Sequence, residues 1–227
     1  ELKPDRISIY NYAHLPDRFP PQKRILTTDL PEPPEKLKIL KLCIEFLSAQ
    51  GYIYIGMDHF ALPDDELAIA QRDGTLQRNF QGYSTFGDCD LLALGVTGIS
   101  HIGNTYCQNT REMDEYRDSL LADQIPVVKG AVIDDDDLVR KQVIKELICN
   151  FSLDFDGIDK KFDINFKDYF ADELRLLETM ESDGLIVTNS SGITVTSAGR
   201  LLIRNICMVF DRYMSRAALE KRFSNAI

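Results

Sequence analysis

Residues 6–12 (RISIYNY) alternate apolar and polar positions, a period of two that predicts a half-buried strand. Pro16, Pro20, Pro21, Pro31 and Pro33 follow, and a segment so interrupted continues neither a helix nor a ladder. Pro34 opens a helix in which Leu37, Leu40, Ile44 and Leu47 keep helical spacing, and Gly51 stops it. Residues 52–57 (YIYIGM) predict a second strand. Strand, helix and strand in that order predict a βαβ unit of a parallel sheet. Asp64 or Asp65 then caps a short helix ending at Arg72.

The stretch 79–104 is dense in glycine, which allows close backbone approach to a ligand or a tightly turning loop. A polar helix over roughly 109–122 leads to Pro126 and Gly130, where the pattern predicts a domain boundary. From Asp134 the period becomes helical, with Val139, Val143, Leu147 and Ile148 on one face. The run Asp134–Asp137 is read as a cap at the positive end of that helix rather than as a metal site. Asp168 is expected to cap the next helix, with Leu174 and Leu177 inward and Gly184 ending it. Residues 185–195 (LIVTNSSGITV) predict a hairpin turning at Asn189–Gly192. Thr196 or Ser197 starts a last helix carrying Leu202, Ile206, Val209 and Tyr213. Helices, a two-stranded wing and a further helix predict a winged-helix-like unit.

Charge and cysteine usage narrow the function classes. With 26 Lys and Arg against 36 Asp and Glu, the net charge of −10 disfavours nucleic acid and anionic membrane as partners. Late basic residues (Arg200, Arg204, Arg212, Arg216, Lys221, Arg222) are read as the solvated side of a helix, not as a recognition face. Cysteines 43, 89, 107, 149 and 207 form no C-x-x-C pair. They are expected to be reduced cytoplasmic thiols that hold no metal through local spacing. His14 and His59 each follow a predicted strand, where parallel-sheet enzymes place ligands, but a structural hydrogen-bonding role is the stronger reading. His101 and the GxxG at 95–98 carry no motif by themselves. The chain opens without a signal-peptide pattern and almost at once into a strand, as the middle of a longer protein would.

Longer strings go further. NYAHLP (11–16), GMDHFALPDDELAIAQRDGTLQRNFQGYST (56–85) and GDCDLLALGVTGIS (87–100) resemble the oxygen-independent coproporphyrinogen III oxidases of the radical S-adenosylmethionine superfamily. The likeness continues through RKQVIKELICNF (140–151) and TSAGRLLIRNICMVFD (196–211), so it spans essentially the whole chain. A related haem-chaperone group has an asparagine–tyrosine motif where this chain reads MDHFA (57–61), and a haem-binding or interaction module of that type is the alternative.

The resemblance implies an α/β fold: the last strand and following elements of an incomplete radical-SAM barrel, then a winged-helix-like C-terminal domain. It divides the chain into barrel end and cofactor-lining loop (1–104), connecting helix and linker (105–133) and helical domain (134–227). The implied reaction converts two propionates of coproporphyrinogen III to vinyl groups, giving protoporphyrinogen IX without oxygen. A [4Fe–4S] cluster and S-adenosylmethionine carry the chemistry, with an electron donor and acceptor as further partners. The family's C-x-x-x-C-x-x-C motif is not among these residues, so catalytic and cluster-binding residues are expected elsewhere and the chain alone is expected to be inactive. Carried over by position, Ala13, Phe80, Gln81 and Ile99 meet S-adenosylmethionine. No motif of the family fixes the residues that meet the substrate carboxylates; Arg78 and Arg204 are the candidates, against the stronger reading of each as solvated surface charge.

Overall fold

In the computed structural model, which describes residues 3–87 and 89–214, helices and small antiparallel sheets alternate and no closed barrel forms among the described residues. Strand β1 (Arg6–Ser8) is shorter than the alternation predicts. Two 3-10 turns (Pro20–Arg24 and Thr27–Asp29) fill the proline-rich loop before helix α1 (Pro33–Ala49). Strand β2 (Ile53–Gly56) then turns straight back into β3 (His59–Ala61). The strand order is β1-β3-β2, and β3 is antiparallel to both neighbours. β1 and β2 therefore run in the same direction, as a βαβ unit requires, but they are not hydrogen-bonded to each other. The expected adjacent pairing is corrected by β3, which inserts between them because Gly56 and Met57 take positive φ (142° and 53°) and reverse the chain. A side chain at Gly56 would lie 2.6 Å from the Tyr83 hydroxyl, so only glycine fits that return.

Leu47 of α1 packs with Tyr52 and Phe60, and Ile7, Ile44 and Tyr54 close this small cluster. Helix α2 (Glu66–Arg72) starts at Asp65, whose carboxylate accepts from the Leu67 N–H. Arg6 bridges Asp65 and Glu66 at 2.7 Å each, which fastens β1 to the start of α2.

Strands β4 (Gln77–Asn79) and β5 (Gly82–Ser84) make a hairpin with Phe80 and Gln81 at its tip. Beyond it β6 (Ile99–Ile102), β7 (Thr105–Asn109) and β8 (Val127–Val132) form an antiparallel sheet, with helix α3 (Met113–Leu121) between the last two. The segment expected to be linker thus supplies two strands. Every residue of β8 is exposed, so its backbone pairing with β7, rather than burial, sets its conformation, and the apolar pattern carries no sign of it.

Helix α4 (Asp135–Asn150) begins with the expected cap, a reciprocal one: Asp134 accepts from the Asp137 N–H and Asp137 from the Asp134 N–H. Val139, Val143, Leu147 and Ile148 are buried as their spacing predicts. Strand β9 (Ser152–Asp154), helix α5 (Phe155–Phe162) and the single-turn α6 (Phe166–Tyr169) follow. Asp168 does not cap a helix. It lies inside α6, capped by Asn165, and α7 (Ala171–Ser182) starts at Phe170 with no side-chain cap. The hairpin is as predicted, β10 (Ile186–Thr188) and β11 (Gly192–Val195), but β11 also pairs with β9, so the sheet has three strands.

The last predicted helix is two short ones, α8 (Ser197–Leu201), capped by Thr196, and α9 (Ile203–Met208). Tyr213 is beyond α9 and exposed. Arg216, Lys221 and Arg222 lie outside the described residues. One core runs from Ile55 through Val143, Phe151 and Phe166 to Phe210, crossing the boundary placed at Pro126–Gly130.

Candidate functional site

Helix α4 buries one stripe, and the edge of that stripe makes one wall of a cleft of about 740 Å³. Asp137, Lys141, Ile144, Lys145 and Ile148 line this wall, and their spacing of three and four residues keeps them on one face. Arg78, Asn79 and Phe80 at the tip of the β4–β5 hairpin close a second side, with Tyr106 of β7 beside them. Phe210, Arg212 and Tyr213 close the third. A smaller space of about 260 Å³ continues past Phe80, Tyr106 and Lys141 toward Phe86, His101 and Lys161.

The cations of the cleft fall into two sets. Arg140 and Arg212 are spent on structure: Arg140 holds Asp136 at 2.9 Å and Glu173 at 2.8 Å, and Arg212 holds Asp134, Asp136 and Asp137 at 2.7–3.1 Å. Three of the four aspartates of the α4 start, Asp134, Asp136 and Asp137, are thus consumed by capping and these ion pairs. Arg78, Lys141 and Lys145 have no carboxylate within ion-pair distance among the described residues. The Arg78 guanidinium lies 5.6 Å from the Tyr83 ring centroid, and its Nε is buried without a hydrogen-bond partner.

Around this set the titrating groups are tuned by burial and charge. Burial alone would raise the Asp58 carboxyl, but its hydrogen bond and charge pairing with His59 and the nearby Arg78 hold it below the ordinary range. Burial raises the Tyr83 hydroxyl well above its ordinary value, so it stays protonated and donates to the Ile148 carbonyl at 3.1 Å. The buried thiols of Cys149 and Cys207 are pushed up to about 12 by burial, which keeps them inert at neutral pH.

His101 stacks on Tyr106 (centroids 4.3 Å apart), and Lys141 Nζ lies 3.2 Å from its Nε2. Burial and the Lys141 charge lower the His101 pKa below 6.5, so the neutral ring accepts from Lys141 above that range. Lys141→Gln removes the like charge and should move the His101 titration upward, readable from its ring-proton NMR shifts. An unchanged titration would mean that the two groups do not meet.

The residues carried over by resemblance are spread across the first part of the chain. Phe80, exposed, lines the cleft and lies 5.9 Å from the Tyr106 ring. Gln81 beside it is exposed, its N–H donating to Asn79 Oδ1, and its side-chain amide has no partner among the described residues. Ala13 is exposed after β1, and its carbonyl accepts from Gln22 Nε2 at 3.0 Å, leaving one lone pair. Ile99, half-buried, opens β6. Of the four, only Phe80 borders the cleft.

An exposed aromatic ring beside a free amide, with an open carbonyl lone pair elsewhere, offers a stacking face, a donor and acceptors of the kinds an adenosyl group can use. Arg204 is exposed on α9 and borders a separate depression with Tyr10 and Asp58, so it does not meet Arg78. Lys141, Lys145 and Tyr106 escaped the sequence reading. The available signal was Lys141 and Lys145 four apart on the edge of a buried stripe, with the nearest acid in phase, Asp137, also needed for the helix cap.

Comparison with known proteins finds relatives along the whole chain. The family model described as the HemN C-terminal domain matches residues 133–202. An oxygen-independent coproporphyrinogen III oxidase of Pseudomonas aeruginosa is 54% identical over 226 residues, covering 100% of this chain and 49% of the relative. The Escherichia coli protein of the same name is 52% identical and covers 100% and 50%. The chain thus spans about half the length of these curated relatives. A shorter relative from Thermostichus vulcanus is 47% identical over 227 residues, and this chain covers 70% of it.

Among solved structures, one described as "Coproporphyrinogen III oxidase (HemN) from Escherichia coli is a Radical SAM enzyme" superposes with a TM-score of 0.89 at 52% identity. It covers 93% of this chain and 49% of that one. Matched end to end at about half identity and in backbone, the chain belongs to the oxygen-independent coproporphyrinogen III oxidase family.

Proposed function

We propose that this chain is the substrate-side half of an enzyme that decarboxylates two propionates of coproporphyrinogen III to vinyl groups, giving protoporphyrinogen IX without oxygen. The observation that carries the reading is the identity of about half of all residues, along the entire chain, to relatives of that name. A [4Fe–4S] cluster and S-adenosylmethionine, when bound, supply the one-electron chemistry that starts hydrogen removal from the propionate. On this reading the elements from β1 to β5 end an incomplete barrel, and α4 to α9 form a winged-helix-like cover. Ala13, Phe80, Gln81 and Ile99 bind and orient S-adenosylmethionine, and Arg78 meets a substrate carboxylate. Arg204, on a different face, is the weaker candidate for that role.

The cysteines of this half are too dispersed to ligate a cluster, two of them buried, so these 227 residues alone should be inactive. The electron donor and acceptor meet the complete enzyme, and the five free thiols of this chain suit the cytoplasm. No helix among the described residues is long and apolar enough to cross a membrane.

The test is anaerobic turnover of coproporphyrinogen III by the complete enzyme and its Gln81→Ala variant. The parent should form protoporphyrinogen IX. The variant should lose about tenfold or more in S-adenosylmethionine affinity, since a ligand polar group left unpaired costs about 1–3 kcal/mol. Its thermal midpoint should hold, because the exposed Gln81 side chain packs against little. Parental affinity and turnover would return Gln81 to a structural role, and an inactive parent would sink the reading itself.

A further inference from the structure

The chain is strongly acidic, yet two adjoining walls of the cleft carry three cations that no carboxylate of the described residues neutralises. Arg78 is the innermost by its contacts, half-buried against Tyr83 with an orphaned Nε. Such an atom, shut off from water and unpaired, costs stability unless a ligand completes it. Lys145 is half-buried on the same cleft and Lys141 exposed beside it. Around them the walls are apolar or aromatic: Phe80, Tyr106, Ile144, Ile148 and Phe210. A flat or saucer-shaped apolar body with carboxylate arms matches both properties. A small inorganic anion leaves the aromatic walls unused, and a nucleic acid is opposed by the net charge of −10.

We infer that Arg78, Lys141 and Lys145 form a carboxylate-binding subsite in this cleft, and that it holds a propionate which the reaction leaves intact. The inference rests on the function proposed above and adds to it two lysines and a role. The choice of an unreacted propionate follows from charge. Release of carbon dioxide destroys the carboxylate's negative charge, so a cluster of cations around the reacting arm would stabilise reactant over transition state and slow the step. The same cluster around a retained arm binds reactant, transition state and product alike, and serves only to place the macrocycle. Phe80, which borders both the cleft and its extension, then stands between this anchor and the cofactor side.

The experiment uses the complete enzyme with Lys141→Gln, Lys145→Gln, the double variant and Lys145→Arg. Affinity for coproporphyrin III, the stable oxidised macrocycle, is read by fluorescence titration, together with KM and kcat for coproporphyrinogen III and affinity for S-adenosylmethionine. The double variant should bind coproporphyrin III at least about tenfold more weakly, the ordinary consequence of losing charge-assisted hydrogen bonds. KM should rise by a similar factor while kcat changes less, because uniform binding is what is lost. Lys145→Arg should recover most of the affinity, the tetramethyl ester of coproporphyrin III should not distinguish parent from variant, and S-adenosylmethionine should bind as before.

Parental KM and parental coproporphyrin affinity in the double variant, with the parent active, would overturn the subsite and leave the proposed function standing. A fall in kcat alone would overturn the positioning role in favour of a reacting arm. A parent that neither binds coproporphyrin III nor turns over its reduced form would overturn the functional reading, and the propionate assignment with it.

Discussion

Replacing Phe166 by alanine is expected to destabilise the protein by about 3–5 kcal/mol, the range for emptying a buried aromatic site. Phe166 is fully buried on α6, a helix of one turn that cannot persist through its own hydrogen bonds. Its ring stacks on Phe155 with centroids 4.3 Å apart and planes 13° apart, and meets Phe170 at 4.7 Å and Phe210 at 6.4 Å. Its N–H donates to Asp159 Oδ1 at 2.6 Å, so ring and backbone together tie α5, α6, α7 and the end of the core. Truncation leaves a cavity lined by three rings that cannot all collapse into it, because each belongs to a different element. Denaturant unfolding at neutral pH measures the loss, and Phe166→Leu should retain a substantial part of the stability. A cost below about 1 kcal/mol would show that the surrounding rings repack freely, contrary to this account. Phe210 borders the cleft as well, so the same variant should weaken porphyrin binding more than an equally destabilising change remote from the cleft.

What could be read in advance depended on whether a residue's role was decided locally. The α4 start is a local matter: Asp134 and Asp137 are three apart, each can reach the other's N–H, and Val139, Val143 and Leu147 repeat at helical spacing behind them. The β10–β11 turn is local too, since Asn189 Oδ1 accepts from the Ser191 and Gly192 N–H groups. β3 and β9 have three residues each and owe their existence to partners elsewhere in the chain, β1 and β2 for one and β11 for the other. No period can announce so short an element. β8 is exposed throughout and presents no hydrophobic pattern to read.

The candidate site divides in the same way. Phe80 and Gln81 were reached through a resemblance carried by long strings around them, whereas no motif fixed Arg78. Lys141 and Lys145 look like solvated helix charges until one knows that Asp137 is occupied by Arg212 and the cap. Charge availability is a tertiary property, and the sequence shows only charge.

Arg140→Met is expected to cost about 3 kcal/mol at neutral pH, the low end for removing one partner of a buried ion pair, because these side chains keep some solvent contact. The Arg140 side chain is 16% exposed. Its guanidinium donates to Asp136 at 2.9 and 3.0 Å, to Glu173 at 2.8 Å and to the Phe210 carbonyl at 3.1 Å, and lies 5.2 Å from the Phe170 ring centroid. One planar group therefore joins α4, α7 and the segment that closes the cleft. Methionine can replace the stem packing but leaves Glu173 and the Phe210 carbonyl without this donor, and Asp136 with only Arg212 and Tyr169. Lysine should not rescue it, since a single ammonium cannot reach three acceptors set for a planar fork.

The pH dependence separates the lost ion pair from lost packing. Burial alone would raise the Asp136 carboxyl, but hydrogen bonds from Tyr169, Arg140 and Arg212 together hold it below 3.8. A carboxyl whose folded pKa is depressed contributes stability that is fully present above the unfolded value and is lost as pH falls through the folded one. Removing Arg140 shrinks that depression, so the variant has less of this stability to lose in acid. The gap between parent and variant should be widest above about pH 5 and shrink as pH falls through the depressed folded value of Asp136. Urea unfolding at pH 7 and again at about pH 2, below the depressed folded value, reads the two limits. A gap of the same size at both would assign the cost to packing around Phe170 and Phe210, and the ion pair would then contribute little.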